Sequence, residues 1–500
     1  MRTILAAGLA VGAALAVPVL DAQSSRLNVV FILADDLGYG EVGVYGQTKI
    51  PTPHIDRLAA QGMRFTHHYS GAPVCAPARA VLMTGKHLGH AEIRGNIQAQ
   101  TRLPQFTEGQ YPLSAQAETL AQMFRRAGYA TGAMGKWGLG PVGSTGDPNR
   151  KGFDLFFGYN DQAVAHSYYP PHLWRNAEKV IINDRPVPGH ARQPEGPVTM
   201  GDWIGGTYAP SLMIAEAERF IAQQAAAPFF LYLPFIEPHV AMHPPQASVD
   251  RFPPSWDREP YRGANSYLPH PRPRAAYAAM ISDLDGYVGR VMAALDRAGV
   301  ADRTLVVFTS DNGTTHPGAN DARFHIGGVD ATFFDSTQGL RGYKGSVYEG
   351  GIRVPMIARL PGRIAAGRVD DTPGYFPDWF PTLADATGLT APADLDGVSL
   401  WPVLTGTRTT PVSRPPMVWV FPEYGGQVAV RLGDMKVVRQ RLLAPEPGPW
   451  EVYDLAADPA EARDLASSRP DLIRQAQEVL RRESSPNAVF PLPIPGVTTR

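Results

Sequence analysis

The chain has one cysteine among 500 residues. Exported proteins often use disulfides, but a lone cysteine cannot close one within its own chain. Cys75 is therefore either a small buried hydrophobe, the usual state of a lone cysteine, or a residue that its surroundings must explain. The chain also lacks an excess of either charge: 46 Lys and Arg against 47 Asp and Glu leave a net charge of -1. With no Lys/Arg-rich run either, the electrostatic footprint of a nucleic-acid partner is missing. Beyond the first 22 residues no apolar run is long enough to cross a bilayer. Internal repeats and low-complexity tracts are absent, because the 50 glycines and 48 prolines are spread between apolar segments.

Residues 1–22 read Met-Arg, then an apolar stretch from Ile4 to Leu20, then Asp-Ala, which fits a signal peptide cleaved after Ala22. Small residues and Pro18 count against a membrane anchor, so the expected destination is the periplasm or the medium, without stable membrane insertion after cleavage. The remaining length exceeds what one compact core usually carries. The expectation is a large catalytic domain over residues 23–390 and a small α+β domain over 391–500.

Residues 27–34, 228–234 and 303–309 are short apolar runs, as expected of buried parallel strands. They lead into Asp35-Asp36, Glu237-Pro238-His239 and Ser310-Asp311-Asn312-Gly313. Between the last two, residues 276–298 carry Met280, Ile281, Leu284, Tyr287, Val288, Val291, Met292 and Leu295 at helical spacing. Strands alternating with helices imply an α/β fold whose mostly parallel sheet is covered on both faces. Such sheets bind ligands beyond the carboxyl ends of their strands, where these polar groups should meet. After residue 389, short strand-like runs at 417–421, 427–432, 435–440 and 450–453 predict an antiparallel sheet. Residues 471–482 predict an amphipathic helix capped by Ser468 or a nearby polar residue.

The most informative segment is Pro73-Val-Cys75-Ala-Pro77-Ala-Arg79-Ala-Val-Leu-Met-Thr84-Gly85. Pro77 suits the first turn of a helix, which places Cys75 at its N-terminus and Arg79 one turn on. Free N–H groups, the helix dipole and a guanidinium there suit an anion bonded to residue 75. The whole run resembles the first signature of the type I sulfatases. Residues 128–137, ending in Gly135-Lys136-Trp137, resemble the second, and Glu451-Val-Tyr-Asp-Leu455 is similar to the closing motif.

That resemblance implies an alkaline-phosphatase-like fold, with a central, mostly parallel sheet flanked by helices and a smaller C-terminal domain holding an antiparallel sheet and a helix. It also implies a cysteine oxidised to formylglycine by a separate maturation enzyme, and a bound calcium ion. The hydrated aldehyde has two hydroxyls on one carbon: one attacks sulfur and frees the alcohol, and the other loses its proton so that sulfate is expelled. By the same resemblance Asp35, Asp36, Asp311 and Asn312, with an oxygen of modified Cys75, hold the calcium; all are oxygen donors, which suits calcium over zinc. Lys136 and Lys344 meet the sulfate, and His239 serves the leaving oxygen. His243 is expected to be structural or a substrate contact.

The sequence departs from the pattern at Gly138, where many relatives have a histidine that acts as base for expelling sulfate. The expectation is that His166 takes that role, with His316 as second choice. Residues 146–160 and 166–174 are similar to a bacterial subgroup, some of whose members remove sulfate from position 4 of galactose or N-acetylgalactosamine. A galactose or N-acetylgalactosamine 4- or 6-sulfate is thus the expected substrate, with Tyr168, Tyr169 and Trp174 either stacking on the sugar or packing in the core. Two other readings remain at this level: a phosphonate or phosphate monoester hydrolase of the same superfamily, and a non-catalytic calcium-dependent glycan binder, the latter prompted only by Gly138.

Overall fold

The run after Arg26 is apolar without alternation because both of its faces are buried. In the strand Asn28–Ala34, Val29, Phe31 and Leu33 enter one hydrophobic core and Val30, Ile32 and Ala34 enter another on the opposite side. The computed structural model describes residues 26–317, 324–408, 410 and 412–497; the segment read as a signal peptide lies outside the described residues.

The strand lies near the middle of a 10-stranded sheet. Across the sheet the order is Arg368–Asp370, Met63–Phe65, Met356–Arg359, Thr304–Ser310, Asn28–Ala34, Phe229–Pro234, Ala130–Lys136, Leu155–Tyr159, His172–Arg175 and Glu178–Ile181. The run from Thr304–Ser310 to Leu155–Tyr159 is parallel throughout, while antiparallel pairs appear at both flanks. The helix Pro273–Arg297 covers one face through Tyr277, Ile281, Leu284, Val288 and Leu295. The helix Cys75–Thr84 covers the other through Ala76, Ala78, Val81 and Leu82, and ends at Gly85 in the left-handed conformation (φ 67°).

The C-terminal part holds four antiparallel strands, Met417–Phe421, Gln427–Leu432, Met435–Arg439 and Trp450–Asp454. Period-2 alternation divides their side chains. Met417, Trp419, Phe421 and Ala429 join the core under the large sheet, while Val418, Val420, Val428 and Val430 pack on Leu472, Ala476 and Leu480 of the helix Pro470–Glu483. The small sheet is thus sandwiched between that helix and the main body. Ser468 is not the helix cap. Its hydroxyl donates to Leu465 O, and Arg469 stands at the cap position without a side-chain bond to the helix backbone. Pro470 at the first helical position has a pre-set φ and no N–H to satisfy, so the helix starts there without a polar cap. Among the described residues no helix is long and apolar enough to cross a membrane.

Candidate active site

Three parallel strands end side by side and their first loop residues are tied together. Asp311 N–H donates to Ala34 O and Asp35 N–H to Glu237 O, both at 3.0 Å. Asp36 takes a left-handed conformation (φ 65°), an uncommon one for a residue other than glycine, and its N–H donates to Asp311 Oδ1 at 3.2 Å. Asn312 Nδ2 donates to Asp36 Oδ1 at 2.7 Å. All four residues are 0–1% exposed.

Cys75 begins its helix as the sequence predicts and is also buried, with Sγ 3.3 Å from Asp35 Oδ1 and Lys344 Nζ 3.5 Å away. Burial, with Asp35 adding to it, pushes the thiol well above its ordinary range. Arg79 lies on the expected side of the helix, with its guanidinium against the carboxylates. Its guanidinium lies 3.2 Å from Asp35 Oδ2, donates to Asp311 Oδ2 at 2.8 and 3.1 Å, and donates to the Lys136 carbonyl. Arg79 therefore acts on the carboxylates.

Lys136 Nζ donates to Asp35 Oδ2 at 2.6 Å and Lys344 Nζ to Asp36 Oδ2 at 2.8 Å. Burial opposes the Asp35 carboxylate, yet Lys136 and Arg79 hold it well below the usual carboxylate range. Burial likewise opposes the Lys344 ammonium, and Asp36 together with Cys75, Tyr267 and Asp35 more than offsets it. Burial and the positive charge of Lys344 and Lys136 keep His239 neutral. Its Nδ1 donates to Val240 O, and Nε2 lies 3.6 Å from Asp36 Oδ2.

A divalent cation fits this cluster. Asp35, Asp36, Cys75 and His239 offer ligand atoms that all lie within 4.8 Å of one another. Asn312 Oδ1, buried and without a hydrogen-bond partner, is an acceptor waiting for a positive group. The carboxylate and amide oxygens of Asp35, Asp36, Asp311 and Asn312 are hard donors of the type that hold calcium or magnesium.

The cluster opens into a cavity of about 200 Å³ whose wall includes Cys75, Lys136, Gln162, His166, His239, Tyr267, His316, Lys344 and Tyr424. His166 is stacked on His239 with ring centroids 5.2 Å apart. Its Nδ1 faces His190 Nε2 at 2.9 Å, and His190 Nδ1 accepts from Tyr267 N–H at 3.2 Å. The proton of a neutral His166 therefore sits on Nε2, the wrong nitrogen state for the base expected of it. His316 has the opposite arrangement: Nδ1 donates to Pro317 O at 3.0 Å, which leaves Nε2 as an acceptor.

Tyr168 and Tyr169 belong to the core beneath, not to the cavity wall; the Tyr168 hydroxyl bonds Ile236 O and His239 O. Trp174 lies on the outer strand His172–Arg175, where its Nε1 donates to Glu108 Oε1 at 2.6 Å. His243 is fully buried against His270, outside the cavity wall. Sequence reasoning missed Tyr267, Gln162, His190 and Tyr424. Of these only Tyr424 carries a local signal, since Tyr424-Gly425-Gly426, all at positive φ, form the turn between two predicted strands.

Comparison with known proteins bears on the family and the fold. The family model described as Sulfatase matches residues 27–389, and that described as N-sulphoglucosamine sulphohydrolase, C-terminal, matches residues 342–483. Human arylsulfatase A is 31% identical over 90% of this chain and 86% of its own length. The N-acetylgalactosamine-6-O-sulfatase of Bacteroides thetaiotaomicron is 28% identical over 92% of this chain and 93% of its own. The structure of Ps i-CgsB in complex with k-i-k-neocarrahexaose superposes with a TM-score of 0.72 at 26% identity, covering 91% of this chain and 93% of that one.

Proposed function

The chain belongs to the sulfatase family and is a sulfuric ester hydrolase, and we propose that it removes sulfate from a sugar, a galactose or N-acetylgalactosamine 4- or 6-sulfate, through residue 75 converted to formylglycine. The observation that carries this reading is the setting of Cys75: a helix N-terminus, buried between Asp35 and Lys344, in a cluster whose Asp36 also pairs with Asn312, a residue with an unpartnered buried oxygen. The sugar assignment is supported by relatives named for sugar sulfates, one of them matched almost end to end.

In this reading Asp35, Asp36, Asp311 and Asn312 would hold calcium, which would supply positive charge against the anionic transition state, and residue 75 as the hydrated aldehyde would supply one hydroxyl to attack sulfur, freeing the alcohol, and a second whose proton is lost as the C–O bond to sulfate breaks and the aldehyde re-forms. Lys136 and Lys344 bind the sulfate oxygens. Arg79 fixes Asp35 and Asp311 in place. His239 faces the leaving oxygen through Nε2. A bound sulfate ester adds negative charge beside the ring and so favours the imidazolium, in which Nδ1 still donates to Val240 and Nε2 can donate to the departing alcohol. His316, whose Nε2 is free to accept, is the better placed of the two candidate histidines to take the proton from the second hydroxyl. We divide the chain at residues 23–390 and 391–500; the buried cluster lies in the first part, and Tyr424 joins the cavity wall from the second.

Protein co-produced with a formylglycine-generating enzyme, assayed on galactose and N-acetylgalactosamine sulfated at position 4 or 6, glucosamine sulfates, an aryl sulfate and matching phosphate esters, tests the assignment. Sulfate release from one sugar regiochemistry is the expected result. It should be lost on treatment with a chelator and restored by calcium. Faster release of phosphate than of sulfate would transfer the assignment to phosphoester hydrolysis.

A further inference from the structure

The C-terminal part reaches the cavity through the turn that follows the strand Met417–Phe421, and this turn grips two sides of it. On one side Glu423 Oε1 accepts from Asn96 N–H at 2.8 Å, across Gly95, where a Cβ would come within 2.5 Å of the same oxygen. On the other the Tyr424 ring lies against Gly345, where a Cβ would come within 2.6 Å of ring carbon Cε1. Gly345 follows Lys344, and Gln427 Nε2 donates to its carbonyl at 2.7 Å. Two glycines thus admit the turn, and a side chain at either would push it off the cavity.

Asn96, so held, offers a donor. Its Oδ1 accepts from Ala76 N–H at 3.0 Å, one residue after Cys75. A main-chain donor on Oδ1 fixes which way the amide points, so Nδ2 is the free end. Asn96 is half-buried in the cavity wall, and Nδ2 bonds no described residue and is not sealed from solvent. The result is a neutral N–H donor beside the start of the Cys75 helix.

Tyr424 offers a surface. It lines the cavity yet is 52% exposed, and the other large apolar side chains as open as this among the described residues, Ile181, Val369 and Leu443, lie outside the cavity wall. The ring is fixed in place. Tyr424, Gly425 and Gly426 close the turn at φ of 52°, 87° and 77°, Phe421 stacks on the ring with centroids 5.9 Å apart, and His316 meets it edge-on at 5.6 Å. An aromatic ring that is already immobilised loses little freedom when a ligand lands on it.

We propose that Asn96 and Tyr424 recognise the sugar that carries the sulfate: Asn96 Nδ2 donates to one of its hydroxyl oxygens, and the Tyr424 ring packs against its C–H face. This rests on the sugar-sulfate reading above. The sulfate oxygens are met by the charged Lys136 and Lys344, whereas a neutral donor beside an exposed aromatic ring matches the neutral lone pairs and apolar face of a sugar. A site built to hydrogen-bond one hydroxyl discriminates strongly against substrates without it.

The test uses full-length, formylglycine-containing enzyme with calcium, unaltered and as Asn96→Ala, Tyr424→Ala and Tyr424→Phe. Substrates are the preferred sugar sulfate and analogues of it that lack one hydroxyl at a time. Inorganic sulfate, a competing product, reports on the sulfate-binding groups alone. Asn96→Ala should lower kcat/KM about tenfold or more on every substrate except the analogue without the hydroxyl it meets, with the inhibition constant of sulfate held within about threefold. Tyr424→Ala should lower kcat/KM about tenfold, while Tyr424→Phe, which keeps the ring, holds it within about threefold. An equal loss on every analogue in Asn96→Ala, or a sulfate inhibition constant that rises in step with the loss, would overturn the proposal by placing Asn96 at the sulfate or in support of the helix. So would an unchanged kcat/KM in Tyr424→Ala. Aryl-sulfate turnover without release from any sugar by the unaltered enzyme would remove the sugar reading itself, and this proposal with it.

Discussion

Replacing Lys436 by methionine should loosen the joint between the C-terminal sheet and the segment that carries Lys344. Lys436 is fully buried on the strand Met435–Arg439, with Nζ 2.8 Å from Glu349 Oε1 and 2.9 Å from Glu461 Oε1. Glu349 also accepts from the Tyr69 hydroxyl at 2.7 Å, and its N–H donates to Glu461 Oε2 at 2.7 Å. Methionine fills much the same volume but leaves two buried carboxylates facing each other with only Arg353, 3.7 Å from Glu349 Oε2, still paired to one of them. Breaking a buried pair in this way costs about 3–5 kcal/mol. With an unfolding entropy of about 2.1 cal/mol/K per residue, a chain of 500 residues changes by roughly 1 kcal/mol for each degree, so the melting temperature should fall by about 3–5 °C. The loss should depend on pH. Burial pushes Glu461 up to about 7 even with Lys436 opposing it, so its stabilising share is present below its unfolded value of about 4.5 and is lost as pH rises through 7. In Lys436→Met, protonation of Glu461 quenches the unpaired charge. The deficit should therefore be largest at about pH 8 and small at about pH 5. Calorimetry at a fixed scan rate measures both. A shift under about 1 °C, or an equal shift at both pH values, would refute the reasoning.

Cys75→Ser should release at most one equivalent of alcohol from a sulfate ester and then stop, with serine sulfate retained, because a single hydroxyl cannot expel sulfate; a burst assay with intact-protein mass checks this, and sustained turnover would contradict it. His239→Ala should lower kcat by about a hundredfold or more on a sugar sulfate, whose alcohol needs a proton to leave, and by much less on an aryl sulfate; equal losses would speak against a role at the leaving oxygen. Glu41 is fully buried, with its carboxylate accepting from Gly38 N–H at 2.6 Å and the Tyr277 hydroxyl at 2.8 Å, and burial pushes it up to about 7. Its contribution is present below about 4.5 and lost as pH rises through 7, roughly 3 kcal/mol in all, so urea midpoints of Glu41→Gln should fall less steeply over that range than those of the unaltered protein, and parallel curves would contradict this.

The sequence shows the central strands because they are buried on both faces and so lack polar interruptions. It hides the flanks: Met63–Phe65 and Arg368–Asp370 have three residues each, too few for a period to appear. The acidic pairs were legible because they follow those strands directly. The real work of Arg79 was not, since its partners Asp35 and Asp311 come from distant parts of the chain. The tautomer of His166 was hidden for a similar reason. Its tautomer is set by a main-chain N–H at Tyr267, reached through His190, and a backbone group leaves no mark in residue identity.

The most direct test of the account is to prepare the enzyme with graded conversion of Cys75, read by peptide mass, and measure sulfate release from 4- and 6-sulfated galactose and N-acetylgalactosamine. Release from one of these sugars in proportion to the formylglycine fraction is the predicted result. Release that does not vary with conversion, or none from fully converted enzyme supplied with calcium, would contradict it.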